Sequence, residues 1–376
     1  MVSQNGIAAV IAVAVIAAIC FGVISYVSYK SQLNRNNCLN LKRIYKSSVV
    51  LNPVSSSSPY KLRDYFIKTA YNCCSSGNLK NDFVNLCALS TCLEQGVRCL
   101  DFEIYSIDNE PVVATSGREN LTTKETYNAL PMSVVLETIG AQAFNSNVCF
   151  NYTDPLILHF RFMSDNCKMY NKMAVLLSTI GSINRRLLDG VYGYENSGSV
   201  NSHSKNFGAE NISKFLEKII IMVYNDNPLY RQTKLYEYVN IASGSGFLRL
   251  YRFKDLLYTH DHDIKEYNKK NMSIVLPDIS PHYTNYNINL ARNNGCQFIG
   301  LSFQNYDDNL KYYNQLFDGG DERSAFSLKP ESFRYVETYT EKPHCPTEDL
   351  SYKPRKTDLT ILNDKKLAKA IVPEVY

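Results

Sequence analysis

Residues 7–27 read Ile-Ala-Ala-Val-Ile-Ala-Val-Ala-Val-Ile-Ala-Ala-Ile-Cys-Phe-Gly-Val-Ile-Ser-Tyr-Val, an apolar run without a single charge. About 20 such residues are what a helix needs to cross a bilayer, so a transmembrane anchor is predicted within residues 1–29. A cleaved signal peptide is the rival reading. Residues 1–6 carry no Lys or Arg and the apolar run exceeds the roughly 7–15 residues of a signal core, which favours the anchor. The pattern then turns polar and reaches Pro53-Val54-Ser55-Ser56-Ser57-Ser58-Pro59, the composition of a flexible connector, so residues 30–59 are predicted to be a basic, polar linker.

From Tyr60 onwards short β-rich apolar runs alternate with longer amphipathic ones. Strands are predicted over 97–105, 111–114, 156–162, 218–224, 236–241 and 296–303, and helices over 80–94, 132–144 and 169–180. Strand and helix in alternation imply parallel βαβ units, an α/β class with a barrel as one outcome. Residues 193–208, rich in Gly, Ser and Asn, read as a surface loop; the prolines at 343, 346, 354 and 373 predict an extended tail over 341–376.

Composition bounds the function. The chain of 376 residues, 45% apolar and 20% charged, can bury a large core, and a net charge of +4 gives no case for a nucleic-acid partner. Charge placement says more. Lys30, Arg35, Lys42, Arg43, Lys46, Lys61 and Arg63 follow the span with no acidic residue before Asp64. The positive-inside rule then puts the large C-terminal part on the cytoplasmic, or virion-interior, side of a single-pass membrane protein. Residues 30–63 would also meet anionic headgroups at about 1 kcal/mol per residue near the surface; beyond Cys38 a solvated linker is an equal alternative.

Eleven cysteines pull the other way. Cys73, Cys74, Cys87, Cys92 and Cys99 crowd together as in an oxidising compartment. The sequons at Asn120, Asn151, Asn211 and Asn271 agree, although a chain this rich in Asn, Ser and Thr produces them by chance. Cys87-x4-Cys92-x6-Cys99 lacks the short paired spacing of structural zinc sites. The 28 Tyr and absent Trp suit an AT-rich genome such as that of a large DNA virus.

Several segments, in order, resemble the X and Y catalytic halves of phosphoinositide-specific phospholipase C. Tyr65 to Asn72 is similar to the family's opening strand, which ends in a His-Asn pair; Gly96 to Tyr105 resembles its G-C-R-C-V-E-L-D-C-W run; Glu110-Pro111-Val112-Val113 and Pro155-Leu156-Ile157-Leu158 match further strands. Asn285-Tyr286-Asn287, Gly295 to Gln304 and Ser327-Leu328-Lys329-Pro330-Glu331 complete the series. The resemblance implies a TIM-type (β/α)8 barrel over residues 60–340, with an X-like half at about 60–226 and a Y-like half at about 234–340.

The family needs a base for the inositol hydroxyl, an acid for the leaving alcohol and charge relief for the phosphate. By that resemblance its two histidines fall on Tyr71 and on Thr115 or Ser116, and no hydroxyl is a competent acid or base near pH 7. Its calcium ligands fall on Asn72, Asp101, Glu103 and Arg161. Three oxygen donors suit calcium, whereas a guanidinium in the fourth place repels it and is expected to pair with Asp101 or Glu103. Bacterial relatives use an arginine in place of calcium, so Arg161 by itself is compatible with phosphate binding. The phosphate-binding lysines fall where Lys218-Ile219-Ile220-Ile221 continues into Met222 and Tyr224, and the family's Arg-x-Tyr-Pro element falls on Ile274-Val275-Leu276-Pro277.

Among the remaining histidines, strand alternation puts His159 on the face of Arg161, where it could replace a missing base or be a satisfied core histidine. His260-Asp261-His262-Asp263 reads as a solvated loop rather than a metal site. The expectation is a membrane-anchored pseudoenzyme with no catalytic residue intact and no cofactor unless the vestigial calcium-type set Asn72, Asp101 and Glu103 still binds, serving as a structural or lipid- or protein-binding module. The alternatives are an active phosphodiester hydrolase built on His159 and Arg161, and phosphoinositide capture through residual anion affinity.

Overall fold

The computed structural model describes residues 4–118, 122–280, 284–319 and 323–337. Its helices are α1 (Gln4–Ile44), α2 (Leu86–Glu94), α3 (Met132–Gln142), α4 (Cys167–Thr179), α5 (Gly181–Asn184), α6 (Gly193–Asn196), α7 (Phe253–Leu256), α8 (Asp261–Lys270), α9 (Asn289–Asn293) and α10 (Asp308–Asp318). The strands are β1 (Tyr65–Ala70), β2 (Cys99–Ile107), β3 (Glu110–Val113), β4 (Leu130–Pro131), β5 (Leu156–Phe162), β6 (Ile219–Tyr224), β7 (Ile241–Ser243), β8 (Leu248–Arg252), β9 (Met272–Leu276), β10 (Phe298–Leu301) and β11 (Phe326–Leu328).

Eight strands run side by side in the order β7-β6-β5-β2-β1-β10-β9-β8, with parallel pairing throughout and β7 and β8 as the ends of a nearly closed barrel. Such strands are buried on both faces, which is why they read as apolar runs. Ile67, Cys99, Ile157, Ile220, Ile274 and Phe298 form the inner layer. Phe66, Leu100, Phe102, Leu158 and Ile221 point outward onto α2, α3 and α4. β3 folds back on the upper end of β2, extending that wall above the barrel. Gly96, just before β2, has φ +72, and an added Cβ would stand 2.4 Å from Leu51 Cδ1, so glycine is required there.

α1 departs from expectation. Residues 30–44, read as part of a linker, continue the helix to Ile44, with Lys42 and Arg43 in the last turn where cations favour the helix dipole. At 1.5 Å per residue its 41 residues span roughly 60 Å, about twice the hydrocarbon thickness, so about half of it lies outside any bilayer. Residues 11–29 make no buried contact, and Ile11–Ile44 is long and apolar enough to cross a membrane. The lower half docks. Leu41 and Tyr45 are buried against the barrel, and Cys38 is joined to Cys87 by a disulfide.

Smaller differences have local causes. The strand predicted over 236–241 is a 3-10 turn (Lys234–Tyr238) followed by the short β7. The predicted loop at 193–208 has a buried core, because Glu195 accepts hydrogen bonds from Tyr230 and Arg231. His260 precedes α8 and Asp261 to Asp263 form its exposed first turn, so the expected loop is a helix start. Asn151 is buried and bonded to Arg98 and Gly96, so its sequon is inaccessible in the folded chain. Residues Met1–Tyr335 form one compact unit; the sequon Asn120 and the predicted tail at 341–376 lie outside the described residues.

Candidate functional site

The parallel register of β2 and β5 sets Asp101 beside His159 and Glu103 beside Arg161. Strand alternation turns all four into the barrel. β1 delivers Tyr71 and Asn72 at its end, and Asn72 takes φ 45, a left-handed conformation that asparagine tolerates better than most residues. That turn aims the Asn72 carboxamide at the acidic pair.

Arg161 closes the set. Its Nε and Nη2 each lie 2.8 Å from an Asp101 carboxylate oxygen, its Nη1 lies 3.0 Å from Glu103 Oε1, and Nη2 also donates to Asn72 Oδ1 at 2.8 Å. The guanidinium carbon stands 5.0 Å from the centre of the Tyr71 ring. Asp101 and Arg161 are wholly buried, and Glu103 and Asn72 nearly so. Burial would raise the Asp101 carboxyl, but Arg161 and His159 outweigh it and hold the group well below the usual carboxylate range. Burial also opposes charge on Arg161, and the attraction of Asp101, Tyr71 and Glu103 overrides it. The remaining oxygens are occupied as well: Glu103 Oε2 accepts from Tyr105 and from Ser116 N–H, and Asp101 Oδ2 accepts from Asn72 N–H.

Calcium does not fit this arrangement. Every acidic group that could ligate it already bonds a fixed cation, and a divalent ion would have to displace a buried, bidentate guanidinium. Among the described residues no group of three or more His, Cys, Asp or Glu side chains is placed to hold a metal.

His159 lies one layer deeper. Its Nδ1 is 2.8 Å from Asp101 Oδ1 and its Nε2 is 2.8 Å from Ser243 Oγ. Nε2 and the Ser243 hydroxyl share a hydrogen bond whose direction follows the tautomer, whereas Nδ1 meets Asp101 as a close charged contact without hydrogen-bond alignment. A Ser-His-Asp series can activate a nucleophile when substrate can reach the hydroxyl. Here Ser243, His159 and Asp101 are each wholly buried, and burial pushes the imidazole below its ordinary value.

Tyr71 is buried, and burial raises its phenol, so it is a poorer acid than free tyrosine and offers still less phenolate as a base near neutral pH. Thr115 donates its hydroxyl to Leu79 O, and Ser116 donates to Glu125. Above these groups a cavity of about 160 Å³ is lined by Glu103, Tyr105, Arg118, Tyr224, Arg252 and Asp255. Pockets for drug-sized ligands run to about 300–1,000 Å³, so this space is small for such a ligand. A larger concavity of about 460 Å³ lies beside Pro53 to Tyr60, away from these groups.

Sequence reasoning missed Ser243 and Arg252. Arg252 donates to Pro277 O and stands 6.0 Å from the Tyr71 ring. Its signal was the alternation in Leu248-Arg249-Leu250-Tyr251-Arg252, which puts 248, 250 and 252 on one face. Ser243 carried no such signal. Met222 is buried inside the barrel and Tyr224 lines the mouth, so neither position that the resemblance assigns to a phosphate-binding lysine supplies a cation.

No family model and no curated protein matches the chain. Solved structures do. The barrel superposes on PLC21 of S. officinalis with a TM-score of 0.57 at 17% identity, covering 74% of this chain and 38% of that one. PLC21 of L. pealei gives a TM-score of 0.56 at 18% identity, covering 73% and 38%. The fold is that of the phospholipase C-like phosphodiesterase barrel. This phospholipase C-like barrel thus spans well under half the length of those chains, and at such identity the likeness carries the architecture alone.

Proposed function

We propose that the chain is a membrane-anchored phospholipase C-like pseudoenzyme that works by presenting a surface at a membrane, as a structural or lipid- or protein-binding module. The observation that carries this reading is the Arg161 clamp, which bonds both Asp101 and Glu103 and fills the space between them. Hydrolysis of a phosphodiester needs one group to take a proton and another to give one, each worth about 10²- to 10⁴-fold. Tyr71 and Thr115 supply neither, and His159 is sealed beneath the clamp.

Helix geometry narrows the lipid contacts. On a continuous α1, Lys42 stands about 22 Å along the axis from Val27, well beyond a Debye length of about 8 Å, so Lys30 and Arg35 are the basic residues of the helix near headgroups. The side of the membrane is pulled two ways, by the basic flank towards the cytoplasm and by the Cys38–Cys87 bond towards an oxidising space.

The deciding measurement is phosphatidylinositol and phosphoinositide cleavage by the full chain in liposomes, with calcium and with chelator. Product at the level of the buffer blank is expected in both. Turnover that vanishes in Asp101→Ala but survives in a distant surface variant would overturn the pseudoenzyme reading.

A further inference from the structure

We infer that the Cys38–Cys87 bond is installed after the barrel has folded, on the cytosolic side of the membrane, by a protein disulfide donor acting on the docked α1. This rests on the reading of α1 as a membrane anchor, and names the side and the partner that the reading leaves open.

The side follows from Asn151. A glycan is transferred to an Asn-x-Ser/Thr acceptor while the chain is still extended, and the bulky product has to end on the surface. Asn151 is 1% exposed; its Nδ2, the atom that takes the sugar, donates to Gly96 O at 3.1 Å, and its Oδ1 accepts from the wholly buried Arg98. A sugar on Nδ2 forces this packing apart and strips a buried guanidinium of a partner. Asn211 Nδ2 is likewise committed, to Ser58 O at 3.1 Å. A barrel threaded into a glycosylating lumen is thus blocked from closing, whereas one that folds in the cytosol meets no transferase. The basic flank of the span points the same way.

The thiols give the order of events. Cys73, Cys74, Cys92, Cys99, Cys149 and Cys296 are free and buried, and Cys92 Sγ donates to Cys73 O at 3.9 Å. A loose chain in an oxidising space pairs sulfurs crowded like those at 73–99. They stay thiols, so folding precedes oxidation. Burial then protects them: it raises Cys73, Cys92, Cys99, Cys149 and Cys296, which leaves little of the thiolate that exchange needs. Cys38 and Cys87 are only half-buried. Other contacts hold α1 in place beside them: Asn34 accepts from Asn85, Asn37 donates to Asp82, Tyr45 donates to Phe303 O, and Leu41 is buried. The folded chain therefore offers the donor one preassembled pair.

The exchange balances. One thiolate of the pair attacks a sulfur of the donor's disulfide and forms a mixed disulfide; the other attacks the chain's own sulfur in that bridge. The donor leaves as a dithiol, carrying the two electrons and the two protons that Cys38 and Cys87 give up. The product fastens α1 to α2.

His203→Thr completes a sequon at Asn201 in an exposed loop, a reporter for the lumen that folding does not hide. The full chain and this variant are pulse-labelled in cells with a glycosylating secretory system, and samples are quenched in acid for thiol labelling and treated with glycosidase. No glycosidase-sensitive shift is expected in either chain. Protease resistance of the barrel should appear while Cys38 and Cys87 are still thiols, and these two thiols should be lost during the chase. A glycan on Asn201 or on any natural sequon, or a bond closed before protease resistance, overturns the inference. In a second arm the purified full chain, reduced without denaturant, is given oxidised protein disulfide isomerase as the donor. Peptide mass mapping should show Cys38 linked to Cys87 with the six buried thiols unmodified; equal modification of the buried set overturns the ordering. Alkaline carbonate extraction separates the failures: release of the chain removes the anchor and this inference with it, whereas retention with a glycan or an early bond removes this inference alone.

Discussion

Arg161 and Asp101 meet through two parallel hydrogen bonds of 2.8 Å, Nε to Oδ1 and Nη2 to Oδ2, with both side chains wholly buried. Breaking such a pair from one side leaves a buried charge without compensation. Arg161→Ala should therefore destabilise the barrel by about 3–5 kcal/mol, measured by urea denaturation followed by circular dichroism. A loss under about 1 kcal/mol would show that the pair is solvated or dispensable.

The same substitution should change the response to calcium. With the guanidinium gone, Asp101, Glu103 and Asn72 offer oxygen donors around a common space. Millimolar calcium is expected to raise the Tm of Arg161→Ala and leave the wild type unchanged. Equal shifts in both would contradict the clamp.

Ser243 supports His159 from the side away from Asp101. Ser243→Ala removes the hydrogen-bond partner of a buried imidazole nitrogen and should cost about 1–3 kcal/mol. Ser243→Thr, which keeps the hydroxyl, should recover part of that; no difference between the two variants would argue against the hydrogen bond.

Lys329 gives a pH signature. It is wholly buried near the barrel end opposite the mouth, its ammonium donates to Asn268 O at 3.3 Å, and burial lowers its pKa to about 7. The unfolded chain, near 10.4, binds more protons than the folded chain between pH 7 and 10, so this residue makes stability rise with pH across that window. Lys329→Met should be more stable than the wild type at pH 7, with the gap closing towards pH 10. A gap independent of pH would mean that the lysine stays charged.

The Cys38–Cys87 bond closes a loop of 49 residues between α1 and the barrel. Cys87→Ser should cost about 2–4 kcal/mol. In membranes purified under thiol blockade, the wild type should carry two fewer maleimide-reactive thiols before reduction than after it. Equal labelling would place the barrel in a reducing compartment.

How much of this was legible depended on the range of the interaction. The resemblance put Asp101 with Glu103, and alternation along one strand put His159 with Arg161, because side-chain direction in a strand is a local property. Helix boundaries slipped where capping residues ended the elements: the helix predicted from residue 80 starts at Leu86, after Asn85 caps it. Residues 30–44 looked like linker because their polar composition hid a helix stabilised by Leu41, Tyr45 and a disulfide to a segment far along the chain.

By itself the sequence determined the apolar span, the alternating α/β plan and the absence of histidine where the resemblance requires it, all properties of residue type and local period. Only the tertiary structure decided that one guanidinium bonds Asp101, Glu103 and Asn72 together, that Ser243 meets His159, and that α1 docks along α2. These contacts join residues 49 to 89 positions apart, and strand register and barrel closure, not local pattern, bring them within hydrogen-bonding reach.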